Sequence, residues 1–137
     1  MTPGEGDLAR AELLDSDEAL QAAATLIETG TLRSAASRIY YAMFHAARAA
    51  LTVNGIHART HSGTVLQFEQ RFGPAREFHD AFELRGEADY GTGAFQISAD
   101  RIGARLEAAT GFVERCRAIV EDALSRGPDE PDPPADL

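Results

Sequence analysis

The sequence predicts an all-α fold, and three observations lead there. Apolar residues recur at spacings of three and four along most of the chain, no segment alternates apolar with polar residues as a half-buried strand does, and no Asn-Gly or Asp-Gly pair joins two strand-like runs. With 137 residues the chain is long enough for one hydrophobic core and too short for two.

The elements follow in order. Leu13, Leu14, Ala19, Leu20, Ala23, Ala24 and Ile27 carry a first helix from about Leu8 to Thr29, stopped by Gly30, with acidic first turns that suit the helix dipole. The first six residues read as loose chain. A second helix runs from near Thr31 to about Val53 and ends at Asn54-Gly55. His57 to Gly63 is a polar connection, and Thr60 or Ser62 is placed to cap a short third helix carrying Val65, Leu66, Phe68 and Phe72, which Gly73-Pro74 must end. A fourth helix covers roughly Ala75 to Glu87, and Gly91-Thr-Gly93 is a flexible break. Ser98 caps a last helix to about Arg126, whose Ile102, Leu106, Ala109, Val113, Cys116, Val120 and Ala123 form a heptad seam for packing within the bundle or against a second copy. Residues 1–126 thus read as one helical domain. Residues 127–137, with four prolines and four acids, read as a disordered acidic tail.

Composition bounds the function. No apolar run reaches the roughly 20 residues that span a bilayer, and the Met-Thr-Pro-Gly-Glu start has neither the basic end nor the apolar stretch of a signal peptide, so a cytoplasmic protein without membrane contact is expected. One cysteine, Cys116, offers no internal disulfide and no thiol cluster. The net charge of −9 is concentrated at the ends: residues 1–20 hold six acids and Arg10, residues 127–137 hold four acids, and residues 21–126 hold twelve acids and twelve arginines. A neutral body can still carry a local phosphate site.

The second helix is the informative segment. At 100° per residue, Ser34, Arg38, Tyr41, His45, Arg48 and Thr52 fall within an arc of about 80°. Nearly everything else from Ala35 to Val53 is apolar, so this helix should lie centrally with neighbours on three sides, its polar stripe lining a groove or an interface. Either those groups are satisfied core polars, with Arg38 and Arg48 paired to acids of neighbouring helices, or they face a ligand. Asp89 and Glu87 are the acids expected to neutralise Arg38 or Arg48.

Ser37-Arg-Ile-Tyr-Tyr-Ala-Met-Phe-His-Ala-Ala-Arg-Ala-Ala-Leu51, followed by Thr60-His-Ser-Gly63 and Arg85-Gly-Glu-Ala-Asp-Tyr90, resembles the HEPN domain family over roughly residues 8–125, in its subgroup with a Tyr-Tyr-Ala-x-Phe-His-Ala-Ala helix. The resemblance implies an up-and-down four-helix bundle with a short additional helix, a homodimer, and a partnership with a minimal nucleotidyltransferase as the toxin-like half of a toxin–antitoxin pair. Competent members are metal-independent ribonucleases. In that chemistry the RNA 2′-hydroxyl attacks the adjacent phosphorus, a histidine moves the proton and an arginine holds the charge developing on the phosphoryl oxygens. The family supplies Arg, then four to six residues, then His. Arg85-Gly-Glu-Ala-Asp-Tyr90 keeps the arginine and the tyrosine but has no histidine within six residues, whereas Arg38 and His45 satisfy the spacing on the second helix.

The resulting assignment has Arg38 and His45 as the catalytic candidates and Tyr41, Arg48, Arg85, Asp89 and Tyr90 as RNA- or nucleotide-binding candidates. The competing reading is a non-catalytic adaptor dimer whose groove holds a nucleotide or a partner segment. No metal and no cofactor are expected. His57 and His61 are four apart but bracketed by Gly55 and Gly63 with no acid or thiol nearby, and Gly91-Thr-Gly93 lacks the further glycine and the strand-to-helix context of a dinucleotide loop.

Overall fold

The computed structural model describes residues 1–90 and 97–126. Five α-helices account for nearly all of them, with no strand among the described residues: α1 Pro3–Glu28, α2 Leu32–Thr52, α3 His61–Phe72, α4 Arg76–Tyr90 and α5 Ala99–Arg126. The expected Gly91-Thr-Gly93 break and acidic tail lie outside the described residues.

The first helix begins earlier than its apolar periodicity suggests, and the expectation of a loose start is corrected. Thr2 and Glu5 form a reciprocal capping box: the Glu5 amide donates to the Thr2 hydroxyl at 3.1 Å and the Thr2 amide to the Glu5 carboxylate at 2.7 Å. Pro3 occupies the first turn, where its missing N–H costs nothing. Gly6 then passes so close to α5 that a Cβ there would stand 3.1 Å from Leu124. Elsewhere the punctuation works as expected. Gly30 and Gly55 take φ values of 76° and 74° after α1 and α2, Thr60 caps α3 through the Gly63 amide at 2.9 Å, and the Ser98 hydroxyl accepts from the Arg101 amide at 3.1 Å.

Helix α2 packs against each of the other four helices. Its core side chains are mostly alanine: Ala35, Ala36, Ala42, Ala46, Ala47, Ala49 and Ala50 are all at most 1% exposed. Small side chains let neighbouring helices approach closely. Facing them, α1 buries Ala9, Leu13, Ser16, Ala19 and Ala23, and the Ser16 hydroxyl donates to the Ala42 carbonyl at 2.8 Å. Contacts from Glu5 to His57, Glu12 to His45 and Ser16 to Ala42 run in opposite chain directions, so α1 and α2 form an antiparallel hairpin.

The far side of α2 is closed by larger residues. Phe68 of α3, Phe78 of α4 and Phe112 of α5 meet with ring centroids 5.1 to 5.3 Å apart. Arg115 of α5 holds the α3–α4 connection by donating to the carbonyls of Phe72 and Pro74 at 2.6 and 3.0 Å. The heptad seam of α5 points into this core, with Ile102, Ala109, Val113, Cys116, Val120 and Ala123 buried, so packing within the chain accounts for it.

The alanine surface of α2 leaves no room for a larger side chain. Ala46→Leu should lower unfolding free energy by about 1–3 kcal/mol through overpacking, whereas Ala104→Leu on the exposed face of α5 should stay within about 0.5 kcal/mol of wild type, as read by urea denaturation.

Candidate functional site

The polar stripe of α2 divides between two cavities. Arg38, Tyr41 and His45 line one of about 270 Å³, together with Ser37, Tyr40 and Phe44 of the same helix, His61 from the start of α3 and Arg85 from α4. Arg48 and Thr52 line another of about 290 Å³ with Leu8, Ile56, His57, Ala58 and Arg59. Ser34 is exposed and lines neither. Four of the expected residues, Arg38, Tyr41, His45 and Arg85, therefore share a cavity, and Arg48 is displaced from it. Asp89 and Tyr90 line a third space of about 360 Å³ with Ser62, Phe82 and Gly86, which meets the first through His61 and Arg85.

His45 is held from α1. Its Nδ1 is hydrogen-bonded to the Glu12 carboxylate, whose other oxygen lies 3.7 Å from the Arg48 guanidinium. Glu12 is only 6% exposed, reached its place through the close α1–α2 approach, and is the acid that neutralises Arg48. The expectation that Asp89 or Glu87 would do so is corrected: Asp89 pairs with Arg85 of its own helix at 3.2 Å, and Glu87 with Arg101 of α5 at 2.7 Å. Because a carboxylate only accepts, Nδ1 is the donor in the Glu12 bond, so in the neutral form of His45 it is Nε2 that has the free lone pair.

Arg38 has no carboxylate partner among the described residues. Its guanidinium sits 4.4 Å from the centre of the Tyr41 ring, which in turn lies tilted against the His45 ring with centroids 4.0 Å apart. Arg85 lies 5.1 Å from the centre of the Tyr40 ring across the cavity. Among the described residues no acidic side chain lines this space, although the chain as a whole is strongly acidic.

His61 is the residue that sequence reasoning left in a solvated connection. It opens α3, and its Nδ1 is hydrogen-bonded to the Tyr40 hydroxyl at 2.6 Å while its ring stacks on Phe44 at 4.4 Å. Burial, then the charges of Arg85 and His45, hold its imidazole below the ordinary value of 6.5. Burial pushes the Tyr40 phenol up to about 12, with Arg85 opposing, so the hydroxyl keeps its proton. Cys116, by contrast, is buried in the core with its thiol pushed well above the usual range, and is no nucleophile.

Glu12, Asp15 and His45 bring three ligand-type atoms within 4.8 Å of one another. The His45 bond and the Arg48 ion pair already use both Glu12 oxygens, so Glu12 is committed to the protein's own groups. His57 and His61, considered above as a possible chelating pair, turn to different partners, Glu5 and Tyr40.

A family model for the HEPN domain matches residues 9–125, most of the chain. The chain belongs to the HEPN domain family. Relatives of this HEPN chain include a UPF0332 protein of Gloeobacter violaceus, 39% identical over 66% of this chain and 75% of the relative. A UPF0332 protein of Pyrococcus horikoshii is 47% identical over 42% of this chain and 40% of the relative. A protein of Methanocaldococcus jannaschii named "putative toxin" is 29% identical over 80% and 86%. The all-α architecture agrees with the HEPN fold, and no described helix is long and apolar enough to cross a membrane.

The His61 environment makes a direct prediction. Its imidazole, followed by NMR, should titrate below 6.5, and Arg85→Ala should raise that value without restoring it fully, since burial remains the larger cause. The fold favours the neutral ring, so the stability contribution of His61 is intact above its unfolded value and is lost as pH falls below about 6.5.

Proposed function

We propose that this HEPN protein is the toxin-like component of a toxin–antitoxin pair and that it binds single-stranded RNA in the α2–α3–α4 cavity, cleaving it without a metal ion. The observation that carries the reading is the composition of that cavity: two arginines, two histidines and two tyrosines, with no carboxylate among the described lining residues, in a protein of net charge −9. Such a pocket favours an anion strongly over a neutral ligand.

Arg38 and Arg85 supply guanidinium donors for the non-bridging oxygens of a phosphodiester, and Arg38, with no competing carboxylate among the described residues, is the readier of the two. His45 presents Nε2 as a base for the 2′-hydroxyl. The adjoining space, with Tyr90 88% exposed at its rim, offers an aromatic face for a neighbouring base. A cavity of about 270 Å³ takes a single nucleotide unit and excludes a duplex, which argues for single-stranded RNA. The relative named as a toxin supports the toxin-like role. A minimal nucleotidyltransferase is the partner we assign, and a homodimer the working form. Arg48, held by Glu12 beside a separate cavity, belongs to the support of His45 and not to the RNA contact.

Fluorescence anisotropy with a labelled single-stranded RNA should show binding that weakens steeply with salt, and Arg38→Ala and Arg85→Ala should each cost at least about tenfold in affinity. In EDTA the wild-type protein should release fragments with cyclic-phosphate ends, and His45→Ala should stop cleavage. Binding without cleavage, with or without magnesium, would convert the reading into the adaptor; no binding would overturn it.

A further inference from the structure

We propose that His45 and His61 work as a base and acid pair on a phosphodiester held between them, His45 taking the proton of the 2′-hydroxyl and His61 giving one to the departing 5′-oxygen. The inference rests on the ribonuclease reading above and adds the proton donor that the Arg85 segment lacks in sequence.

The two rings line one cavity and both touch Phe44, His61 face to face at 4.4 Å and His45 edge-on at 5.5 Å. Each has its Nδ1 occupied by a partner from the fold, so each offers only Nε2 to a ligand. The partners differ in kind. The Glu12 carboxylate can only accept, so the neutral His45 ring carries its proton on Nδ1 and meets the cavity with a bare Nε2. Tyr40 is a hydroxyl that stays protonated, so it donates to Nδ1 of neutral His61 and leaves that ring's proton on Nε2. When His61 takes up a second proton at Nδ1, the Tyr40 hydroxyl turns and accepts from it, and Nε2–H is retained. One ring is thus set as an acceptor and the other as a donor before any ligand arrives.

The charges around each ring agree with these roles. His45 faces Glu12 and Asp15 from α1 and Tyr41 and Arg48 from α2, and the two carboxylates stabilise the imidazolium that forms when it accepts a proton. His61 faces Tyr40 and His45 from α2 and Arg85 from α4; burial, then the charges of Arg85 and His45, disfavour its charged form in the free protein. A bound phosphodiester brings a negative charge against Arg38 and Arg85 and shifts His61 towards imidazolium, so the acid is armed by its substrate. In the step itself the 2′-oxygen forms a bond to phosphorus as its proton passes to His45 Nε2. The P–O5′ bond breaks as His61 Nε2 delivers its proton to the leaving oxygen. The products are a 2′,3′-cyclic phosphate and a 5′-hydroxyl; His45 ends as imidazolium and His61 neutral, and exchange with solvent resets both. No water, metal or redox partner enters the balance. Glu12 and Tyr40 are positioning residues.

The test compares two single-stranded RNAs that differ at one linkage, where the 5′-bridging oxygen is either present or replaced by sulfur, a leaving group that departs without a proton. His61→Asn keeps an amide in the place of Nδ1, and so the Tyr40 contact, but has nothing at Nε2. At saturating RNA it should cut the oxygen substrate at least about 100-fold more slowly than wild type and cut the sulfur substrate near the wild-type rate. His45→Asn should be slow on both substrates. Tyr40→Phe should lose rate on oxygen alone. If wild type cuts and His61→Asn cuts the oxygen substrate equally well, this inference falls and the ribonuclease reading stands. If sulfur rescues both histidine variants alike, the assignment of acid and base falls. If wild type cuts neither RNA, the ribonuclease reading falls and takes this inference with it.

Discussion

The hydrogen bond between Glu12 and His45 is the contact on which the arrangement depends. A carboxylate this buried is costly unless it is paired, and here it meets both an imidazole and a guanidinium. The pairing is possible because α2 presents alanines where other helices present leucines, so that α1 comes near enough for Ser16 to reach the Ala42 carbonyl one turn away. Packing thereby sets a chemical state. The same close approach that fills the core leaves His45 with one ring nitrogen committed to α1, while the residue also lines the cavity.

The distribution of charge fits the anion proposed for that space. Net acidity resides mainly in the first turns of α1 and in the terminal tail, and most arginines of the body are paired: Arg101 with Glu87, Arg105 with Asp80, Arg117 with Asp17 and Glu114. Such exposed or half-exposed pairs contribute little stability one by one, but they remove positive charge from the surface as seen from a distance. In the cavity, Arg38 sits beside Tyr41 without a carboxylate partner among the described residues, while Arg85 is shared between Asp89 and the Tyr40 ring. An acidic protein can select a phosphate in this way because the low-dielectric walls of a cavity make near charges count for more than the whole-molecule sum.

Much of this was legible from residue order. The 100° rule placed Arg38, Tyr41 and His45 on one face because α2 is a regular helix, and the apolar remainder correctly implied a central position. The same rule could not tell that the stripe would be split, since that depends on where α1 and the α2–α3 connection end: Arg48 is claimed by Glu12, and Thr52 is buried near Leu8 and His57. Glu12 was readable but missed. Ala9, Glu12, Ser16, Ala19 and Ala23 follow steps of three and four, which puts Glu12 inside the buried stripe of α1, yet the acids of these first turns suggest only a favourable interaction with the helix dipole. The early start of α1 was likewise signalled by Thr2-Pro-Gly-Glu5, a capping box hidden by its glycines and proline. His61 had no local signal of its role. It stands at a helix start between small polar residues, and only the tertiary fold returns it to Tyr40, 21 positions earlier.

The most direct check is a crystal structure of the protein with a ribodinucleotide analogue whose attacking 2′-hydroxyl is replaced by hydrogen. The account requires the phosphodiester to lie against Arg38 and Arg85, with Nε2 of His45 towards the 2′-position and Nε2 of His61 towards the 5′-oxygen. A phosphate bound beside Arg48 and Arg59, or one in the first cavity with either histidine turned away from it, would contradict it.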